Sequence, residues 1–200
     1  MTLREKRRPE HVSAMAWLGV EERRRGSLGL AEGTVALAEH DPGWARLYGV
    51  EERWIRKVLA GVALDVQHCG STAVPGIRAK PILDVVVGIK RLALGCGCVR
   101  PLREIGYEYL GETVVPGEHF FGKGAPRTHH LHVVEWRGSR WRDMLLFRDR
   151  LLADRATALR YEALKVALAS RFPDDRTAYT KAKARFITGV VAGGTGLDPG

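Results

Sequence analysis

The stretch QHCGSTAVPGIRAKPILDVVV places a polar loop between two apolar segments near the middle of the chain. Gly70 permits a tight turn, and Ser71 and Thr72 offer hydroxyl and backbone N–H groups to an anion. Lys80 adds a point charge that suits a phosphate. Asp84 follows on a strand-like run, where its carboxylate could hold a divalent metal with a nucleotide. These residue types predict a nucleotide or phosphate site. A strand–turn–strand whose polar groups only cap the turn is an equal alternative.

Two histidines and an arginine further along the chain are additional candidates. In THHLHVVE, strand parity puts His130 and His132 on the face opposite Leu131 and Val133. His132 could act as a base, a metal ligand or a phosphate contact, and a structural role is as well supported. Arg148 lies on the apolar stripe of a predicted helix. An arginine there needs an anion, which is either an acidic neighbour or a bound phosphate.

Two tyrosine–lysine pairs recur near the C-terminus. Tyr161 precedes Lys165 by four residues, and Tyr179 precedes Lys183 by the same spacing. Each pair therefore shares one helical face. We interpret both lysines as surface residues whose stems pack on the tyrosine rings. Glu118, which precedes a predicted strand, remains a candidate for a further acid.

The elements that must position these residues follow from apolar periodicity and turn residues. DPGW predicts a helix start, with Asp41 as N-cap and Pro42 at the first helical position. GTVALAEH before it is typical of a strand. Strands are also predicted at VALDVQHC, PILDVVVGI, YEYLGETV, HFFGKG and THHLHVVEW. Helices are predicted over 99–105, 139–152, 155–171 and 174–191, with Asp174 capping the last. This order predicts an α+β fold, with a five-strand mixed sheet, flanking helices and a C-terminal helical bundle.

The length and net charge of the chain limit the number of domains and the classes of partner that can be expected. The 200 residues fit one domain over 33–192. Residues 1–32 mix a charge run with glycines and predict a mobile basic extension, and 193–200 predict a disordered tail. The formal charge of +9, from 32 Lys+Arg against 23 Asp+Glu, favours phosphates, nucleotides or nucleic acid as partners. A basic surface that only keeps the protein in solution is the alternative interpretation.

Membrane and redox signals indicate a cytoplasmic protein. No apolar run approaches the roughly 20 residues that span a bilayer, so no membrane partner is expected. No hydrophobic segment of signal-peptide type follows the basic N-terminus. Cys69, Cys96 and Cys98 are odd in number and too few for a disulfide scaffold. Because Cys96 and Cys98 are too close in sequence for a zinc knuckle, we expect reduced thiols.

Several motifs occur together in the order seen in one family. They are DPGW, HCGSTAVPGIRAKPILDVVV, HHLHVVE, LLFRDRL, YEALK and FPDDRTAYTKAK. Over residues 34–187 the chain resembles the GrpB-like family of the DNA polymerase beta-like nucleotidyltransferase superfamily. The resemblance implies a nucleotidyltransferase-like sheet, with Gly70 and Ser71 at the triphosphate and Asp84 as a ligand of Mg²⁺ or Mn²⁺. It also implies transfer of a nucleoside monophosphate from an NTP to a small hydroxylated molecule, a protein or RNA.

The strand after the turn departs from the superfamily pattern of two carboxylates one residue apart. The same-face neighbours of Asp84 are Ile82 and Val86, so its acidic partner is missing. Two-metal catalysis of in-line displacement normally needs more ligands than this. The departure leaves the activity less supported than the fold.

Two hypotheses from different classes follow. In the first, the protein is a nucleotidyltransferase, with Asp84 and His132 as catalytic residues and with Ser71, Lys80 and Arg148 holding the phosphates. In the second, it is a catalytically inactive module that binds a nucleotide or a phosphorylated small molecule. RNA binding driven by charge ranks last, because the sequence lacks an aromatic stacking motif.

Overall fold

The computed structural model describes residues 27–112 and 116–193. In these residues the strands are β1 (Ala63–Cys69), β2 (Leu83–Ile89), β3 (Tyr107–Gly111), β4 (His119–Lys123) and β5 (His129–Glu135). The helices are α1 (Gly43–Val58), α2 (Val99–Glu104), α3 (Ser139–Ala153), α4 (Arg155–Arg171) and α5 (Arg176–Val191). Short 3₁₀ segments lie at Ser71–Ala73 and Leu92–Cys98.

The five strands form one mixed sheet in the order β1-β2-β5-β4-β3. β2 and β5 are parallel, and the other neighbouring strands are antiparallel. The β2–β5 register sets Asp84 beside His130 and Val86 beside His132. The central parallel pair therefore brings the aspartate and both histidines to one face of the sheet.

The two faces of the sheet are covered by different helices. The residues that alternate with Asp84 and the histidines, among them Val85, Val87 and Leu131, pack with α1 and α2 in the main core. The opposite face carries Val86 and Val134 and packs on Trp141 of α3. Helices α3, α4 and α5 form a second core around Phe147, Tyr161 and Phe186. This architecture confirms the predicted α+β class with its mixed sheet, flanking helices and C-terminal bundle.

Helix α1 shows why local sequence predicts most of these elements. Its buried residues, Trp44, Leu47, Glu51 and Ile55, repeat at helical spacing along one face. The Asp41 carboxylate accepts a hydrogen bond from the Gly43 N–H at 2.7 Å, so it satisfies a free backbone donor at the helix start. The helix begins at Gly43, one residue after the predicted position.

Two local predictions need correction. GTVALAEH is not a strand, because its only pairing in the described chain is a single bridge between Ala38 and Ala79. Its apolar residues instead contact helices: Val35 packs with Leu168 and Tyr179. The last helix is capped by Asp175, whose side chain accepts from the Ala178 N–H, and not by Asp174.

The segment just before residue 33 packs on the rest of the described chain. Residues 27–32 were assigned to the extension, yet Leu28 and Leu30 are buried. Gly29 donates to the Pro81 carbonyl, and Leu30 bridges to Arg127. The predictions for 1–26 and for 194–200 lie outside the described residues. Within the described part, no helix is long and apolar enough to cross a membrane.

Candidate functional site

A cavity of about 640 Å³ lies between the Asp84 face of the sheet and the C-terminal bundle. Its sheet side carries Asp84, His130 and His132 together with the Gly-Ser turn. Its bundle side carries tyrosines and lysines of α4 and α5: Tyr161, Lys165, Tyr179, Lys181 and Lys183. Lys80 also lines it. The structure thus brings Gly70, Ser71, Thr72, Lys80, Asp84 and His132 of the predicted site to one cavity.

The Gly-Ser turn packs directly on Asp84. Gly70 has φ +68° and ψ −170°, a conformation open to glycine. A Cβ at Gly70 would lie 2.3 Å from Oδ2 of Asp84, so the close approach also requires glycine. Ser71 begins the 3₁₀ segment and hydrogen-bonds with the hydroxyl of Tyr161. Thr72 is buried, with its Oγ1 3.0 Å from Nε2 of His68.

A chain of alternating charges runs from Asp84 through His132 and Glu118 to Arg140. Asp84 Oδ1 lies 3.1 Å from Nδ1 of His130 and 3.9 Å from Nε2 of His132. His132 Nδ1 lies 2.8 Å from Oε1 of Glu118, which is completely buried. Arg140 donates to the other Glu118 oxygen at 2.8 Å. The order is therefore carboxylate, imidazole, carboxylate, guanidinium.

Protonation of His132 follows from its place between two carboxylates. Burial lowers the pKa of His132, but the contacts with Asp84 and Glu118 outweigh it and raise the pKa to about 9. Burial likewise raises the pKa of Asp84, yet the two histidines bring it below its ordinary value. The same competition, with His132 and Arg140 as partners, lowers the pKa of Glu118. At neutral pH His132 is a cation held by two anions.

His130 is in the opposite state. Burial lowers its pKa and, together with the charges of His132 and Lys80, outweighs the attraction of Asp84. A neutral His130 that donates Nδ1–H to Asp84 has its Nε2 lone pair free of that bond. The two histidines share a face of the sheet, as parity predicts, but they carry different charges.

Four lysines line the cavity, and burial lowers the pKa of three of them, Lys80, Lys165 and Lys183. Lys165 is 2% exposed, which contradicts its interpretation as a surface residue. Burial lowers the pKa of Lys165 to about 7 and that of Lys183 to about 8. Burial also lowers the pKa of Lys80, against the attraction of Asp84. Among the described residues, no carboxylate lies within 4.0 Å of any of these three amines, whereas the partly buried amine of Lys123 pairs with Glu51 at 2.8 Å.

The lysines lie against tyrosine rings. Lys165 Nζ lies 4.9 Å from the ring centre of Tyr161 and donates to the Arg78 carbonyl. Lys183 and Lys80 both approach the ring of Tyr179, at 4.5 and 5.5 Å. The i,i+4 spacing of tyrosine and lysine was the signal in the sequence. It did not show which side of each helix faces the sheet.

Arg148 lies outside the cavity. Its Nη1 donates to the His68 carbonyl at 2.8 Å and to Oε1 of Gln67 at 3.1 Å. Its Nε donates to Asp149 at 2.8 Å. The sequence allowed either an acidic neighbour or a bound phosphate as the partner of Arg148. In the structure the guanidinium is bound by groups of the protein itself, Asp149 among them. Arg148 ties α3 to β1, and nothing in its contacts places it at a bound phosphate.

The donor atoms around Asp84 do not fit a two-metal site. Mg²⁺ takes oxygen ligands, commonly one or two carboxylates with phosphates and water. Oδ1 of Asp84 contacts His130 and the cationic His132, and Oδ2 lies against Gly70. Ile82 and Val86 offer no oxygen, and Glu118 is bound to His132 and Arg140. A metal role for Asp84 stays a prediction.

Comparison with known proteins gives the family. The family model described as GrpB protein matches residues 34–192. The glutamate-rich protein GrpB of Alkalihalophilus pseudofirmus is 35% identical over 170 residues, 82% of this chain and 98% of that protein. A UPF0157 protein of Pseudomonas aeruginosa is 38% identical over 163 residues, 76% of this chain but only 64% of that protein.

A solved structure agrees with these sequence matches. The crystal structure of conserved protein GrpB from Enterococcus faecalis superimposes with a TM-score of 0.73 at 31% identity. The match covers 80% of this chain and 97% of that chain. The family matches span the strand–turn–strand with Asp84 and the bundle with both tyrosine–lysine pairs. The chain belongs to the GrpB family.

Proposed function

We propose that the cavity binds a nucleoside triphosphate or another phosphorylated small molecule. The observation that carries this proposal is the set of three partly or fully buried amines, Lys80, Lys165 and Lys183, without a carboxylate partner in the described structure. Burying a cation without an anion is costly. The lowered lysine pKa values reflect that cost. A bound polyanion would remove it.

The other lining groups suit the two ends of such a ligand. Ser71 offers its hydroxyl at the start of the 3₁₀ segment, beside the Asp84 carboxylate that packs on Gly70. The cavity wall also carries apolar side chains, namely Phe120, Phe147 and Ile187. Ligand sites commonly combine an apolar wall with a few placed polar groups. Phosphates would lie at the lysines, and the less polar part of the ligand at this apolar wall.

In this proposal the lysines and His132 offset the phosphate charge in place of a pair of metal ions. His132 carries a proton at neutral pH, so it adds a positive charge close to Asp84. Besides Asp84, the cavity lining carries the carboxylates of Glu32 and Asp143, and neither of these lies on β2 beside Asp84. We therefore expect phosphate binding in the presence of EDTA, with at most a modest gain on adding Mg²⁺ or Mn²⁺.

Thermal-shift measurements with a panel of NTPs, with and without Mg²⁺ or Mn²⁺, test the proposal. Saturating ligand at 100 times Kd should stabilise the wild type by about 2.7 kcal/mol. Lys80→Ala should lose roughly 1.5–3 kcal/mol of binding free energy, because a hydrogen bond to a charged group is removed. Lys90→Ala, an exposed lysine at the end of β2, is the matched control and should bind as the wild type does. Equal binding by Lys80→Ala would place the phosphates elsewhere.

A second candidate is nucleotidyl transfer, and the Asp84–His130 pair favours it. His130 donates Nδ1–H to Asp84 and keeps Nε2 as a proton acceptor inside the cavity. It could take the proton of an acceptor hydroxyl while that oxygen attacks the α-phosphorus and pyrophosphate leaves. A positioned base of this kind contributes typically 10²–10⁴-fold. The sequence left His132 open as a base, a metal ligand or a phosphate contact, but a group with a pKa of about 9 is already protonated at neutral pH and does not suit the role of base.

A further inference from the structure

We propose that Cys96, Glu112 and His119 form a second site, which binds a divalent transition metal of the zinc type. The three residues come from the 3₁₀ segment Leu92–Cys98, from the residue after β3 and from the start of β4. None of them lines the cavity with Asp84. The metal site is therefore separate from the proposed phosphate site and does not depend on it.

The three donor atoms already lie close together. The thiol, one carboxylate oxygen and an imidazole nitrogen are all within 4.8 Å of one another. Glu112 Oε1 and His119 Nε2 are 2.9 Å apart. Zinc bonds of about 2.0–2.3 Å in a tetrahedron would set the donor atoms roughly 3.3–3.6 Å apart. Cys96 and Glu112 are exposed, so small side-chain rotations would reach this spacing.

The surroundings of His119 hold its ring in place for such a role. The ring is completely buried, and its Nδ1 lies 2.9 Å from the Tyr109 hydroxyl. With Nε2 on a metal, Nδ1–H would donate to that hydroxyl, as the second nitrogen of metal-bound histidines usually does. A Cβ at Gly95 would lie 2.0 Å from the ring, so only glycine lets the Cys96 backbone come this close.

The coordination can be completed at the same place. The Leu92 carbonyl oxygen lies 3.0 Å from Nε2 of His119, so it or a water could provide a fourth donor. Without a metal, Nε2–H would be shared between the Leu92 carbonyl and Glu112, and Cys96 is an exposed free thiol beside them. The combination of thiolate, imidazole and carboxylate prefers Zn²⁺ or Co²⁺ over Mg²⁺.

The other two cysteines do not belong to this site. Cys98 lies in the main core, where burial raises the pKa of its thiol to about 11. Cys69 is buried on the opposite face of the sheet, and burial raises its pKa as well. The spacing of the cysteines predicts free thiols. It takes no account of ligands of other residue types, such as Glu112 and His119. The proposed ligands become neighbours only when β3, β4 and the 3₁₀ segment meet.

Titration with Co²⁺ tests this site in the full-length protein, because cobalt reports its own ligands by absorbance. We expect one equivalent to bind, with a thiolate-to-cobalt charge-transfer band in the near ultraviolet that Zn²⁺ then displaces. Cys96→Ser should abolish the band, and Glu112→Gln should weaken binding at least about tenfold. Tyr109→Phe should weaken it less, by about tenfold or below.

Two control variants separate this site from other metal-binding groups. Glu104→Gln removes an exposed carboxylate of α2 outside the cluster, and Asp84→Asn removes the carboxylate of the cavity. Both should retain the charge-transfer band, and circular dichroism should show every variant folded. Absence of Co²⁺ and Zn²⁺ binding by the wild type would overturn the proposal. So would a band that survives Cys96→Ser, or one that Asp84→Asn removes.

Discussion

At the scale of single residues, the main result is that His132 carries a positive charge whereas the neighbouring His130 is neutral. Strand parity was enough to predict that His130 and His132 share one face, and the register of β2 with β5 adds Asp84 to that face. Parity could not predict that Glu118, from the turn before β4, would bind the far nitrogen of His132. Asp84 and Glu118 together raise the pKa of His132, whereas burial lowers the pKa of His130. The residue types were therefore predictable, and their protonation states were not.

His132→Asn tests this assignment through the pH dependence of stability. The folded pKa of about 9 exceeds the ordinary 6.5, so the stabilisation by charged His132 is complete below about pH 6.5. It is lost as pH rises through 9, and amounts to up to roughly 3 kcal/mol. Urea unfolding at pH 6, 7, 8 and 9 should show the wild-type advantage shrinking over this range. Lys165 and Lys183 are present in both proteins, so they cancel in the difference. A wild-type advantage that does not change with pH would contradict the assignment.

At the scale of elements, the sequence predicts the positions of most helices and strands, because apolar periodicity and turn residues determine them locally. Helix α4 matches its predicted bounds, and the five strands of the sheet lie where alternation and turn residues indicate. GTVALAEH has apolar residues at strand spacing, but packing of Val35 against Leu168 and Tyr179 replaces strand pairing. Lys165 and Lys183 looked like surface residues because helical spacing shows which residues share a face. It does not show what covers that face.

Gly70→Ala tests the element that joins β1 to the cavity. Alanine is strained at φ +68°, and its Cβ would collide with the Asp84 carboxylate, which cannot retreat without losing His130. We expect a loss of about 1–3 kcal/mol in the free energy of unfolding. Gly49→Ala in α1 is the matched control, since nothing lies within 4 Å of a Cβ there. It should stabilise the protein by about 0.5–1 kcal/mol. Equal effects of the two substitutions in chemical denaturation would show that the turn is not constrained.

At the scale of the whole molecule, the cavity exists because the C-terminal bundle packs over the Asp84 face of the sheet. The Gly-Ser turn and Lys183 are more than 100 residues apart in sequence, yet they line one space. Local patterns predicted the bundle and the sheet but not how they meet. This packing brings Asp84 of the sheet and three buried or half-buried amines to one cavity, and two of the amines, Lys165 and Lys183, lie on the bundle. It makes a phosphorylated ligand the best-supported occupant.

An assay of pyrophosphate release from NTPs, in the presence of candidate acceptors, tests whether the protein is an enzyme. Nucleotidyl transfer predicts turnover that falls by about 10²–10⁴-fold in His130→Gln, which removes the base. Asp84→Asn should fall similarly, because His130 loses its orienting partner. Asp174→Asn, an exposed carboxylate before α5, should keep the wild-type rate. Turnover that survives Asp84→Asn would contradict this mechanism. A wild type that binds an NTP without releasing pyrophosphate would leave the binding module as the function.

The most direct test of phosphate binding at the lysines is the number of protons taken up when ligand binds. Isothermal titrations with ATP and EDTA, in buffers of different ionisation enthalpy, measure that number. At pH 8 much of Lys165 and about half of Lys183 are deprotonated, given pKa values of about 7 and 8. A bound polyanion raises both pKa values, so about one proton should be taken up. At pH 6 the uptake should be near zero, and Lys183→Met should reduce it at pH 8. Binding without proton uptake at pH 8, or no measurable binding of ATP or any other NTP, would contradict the account.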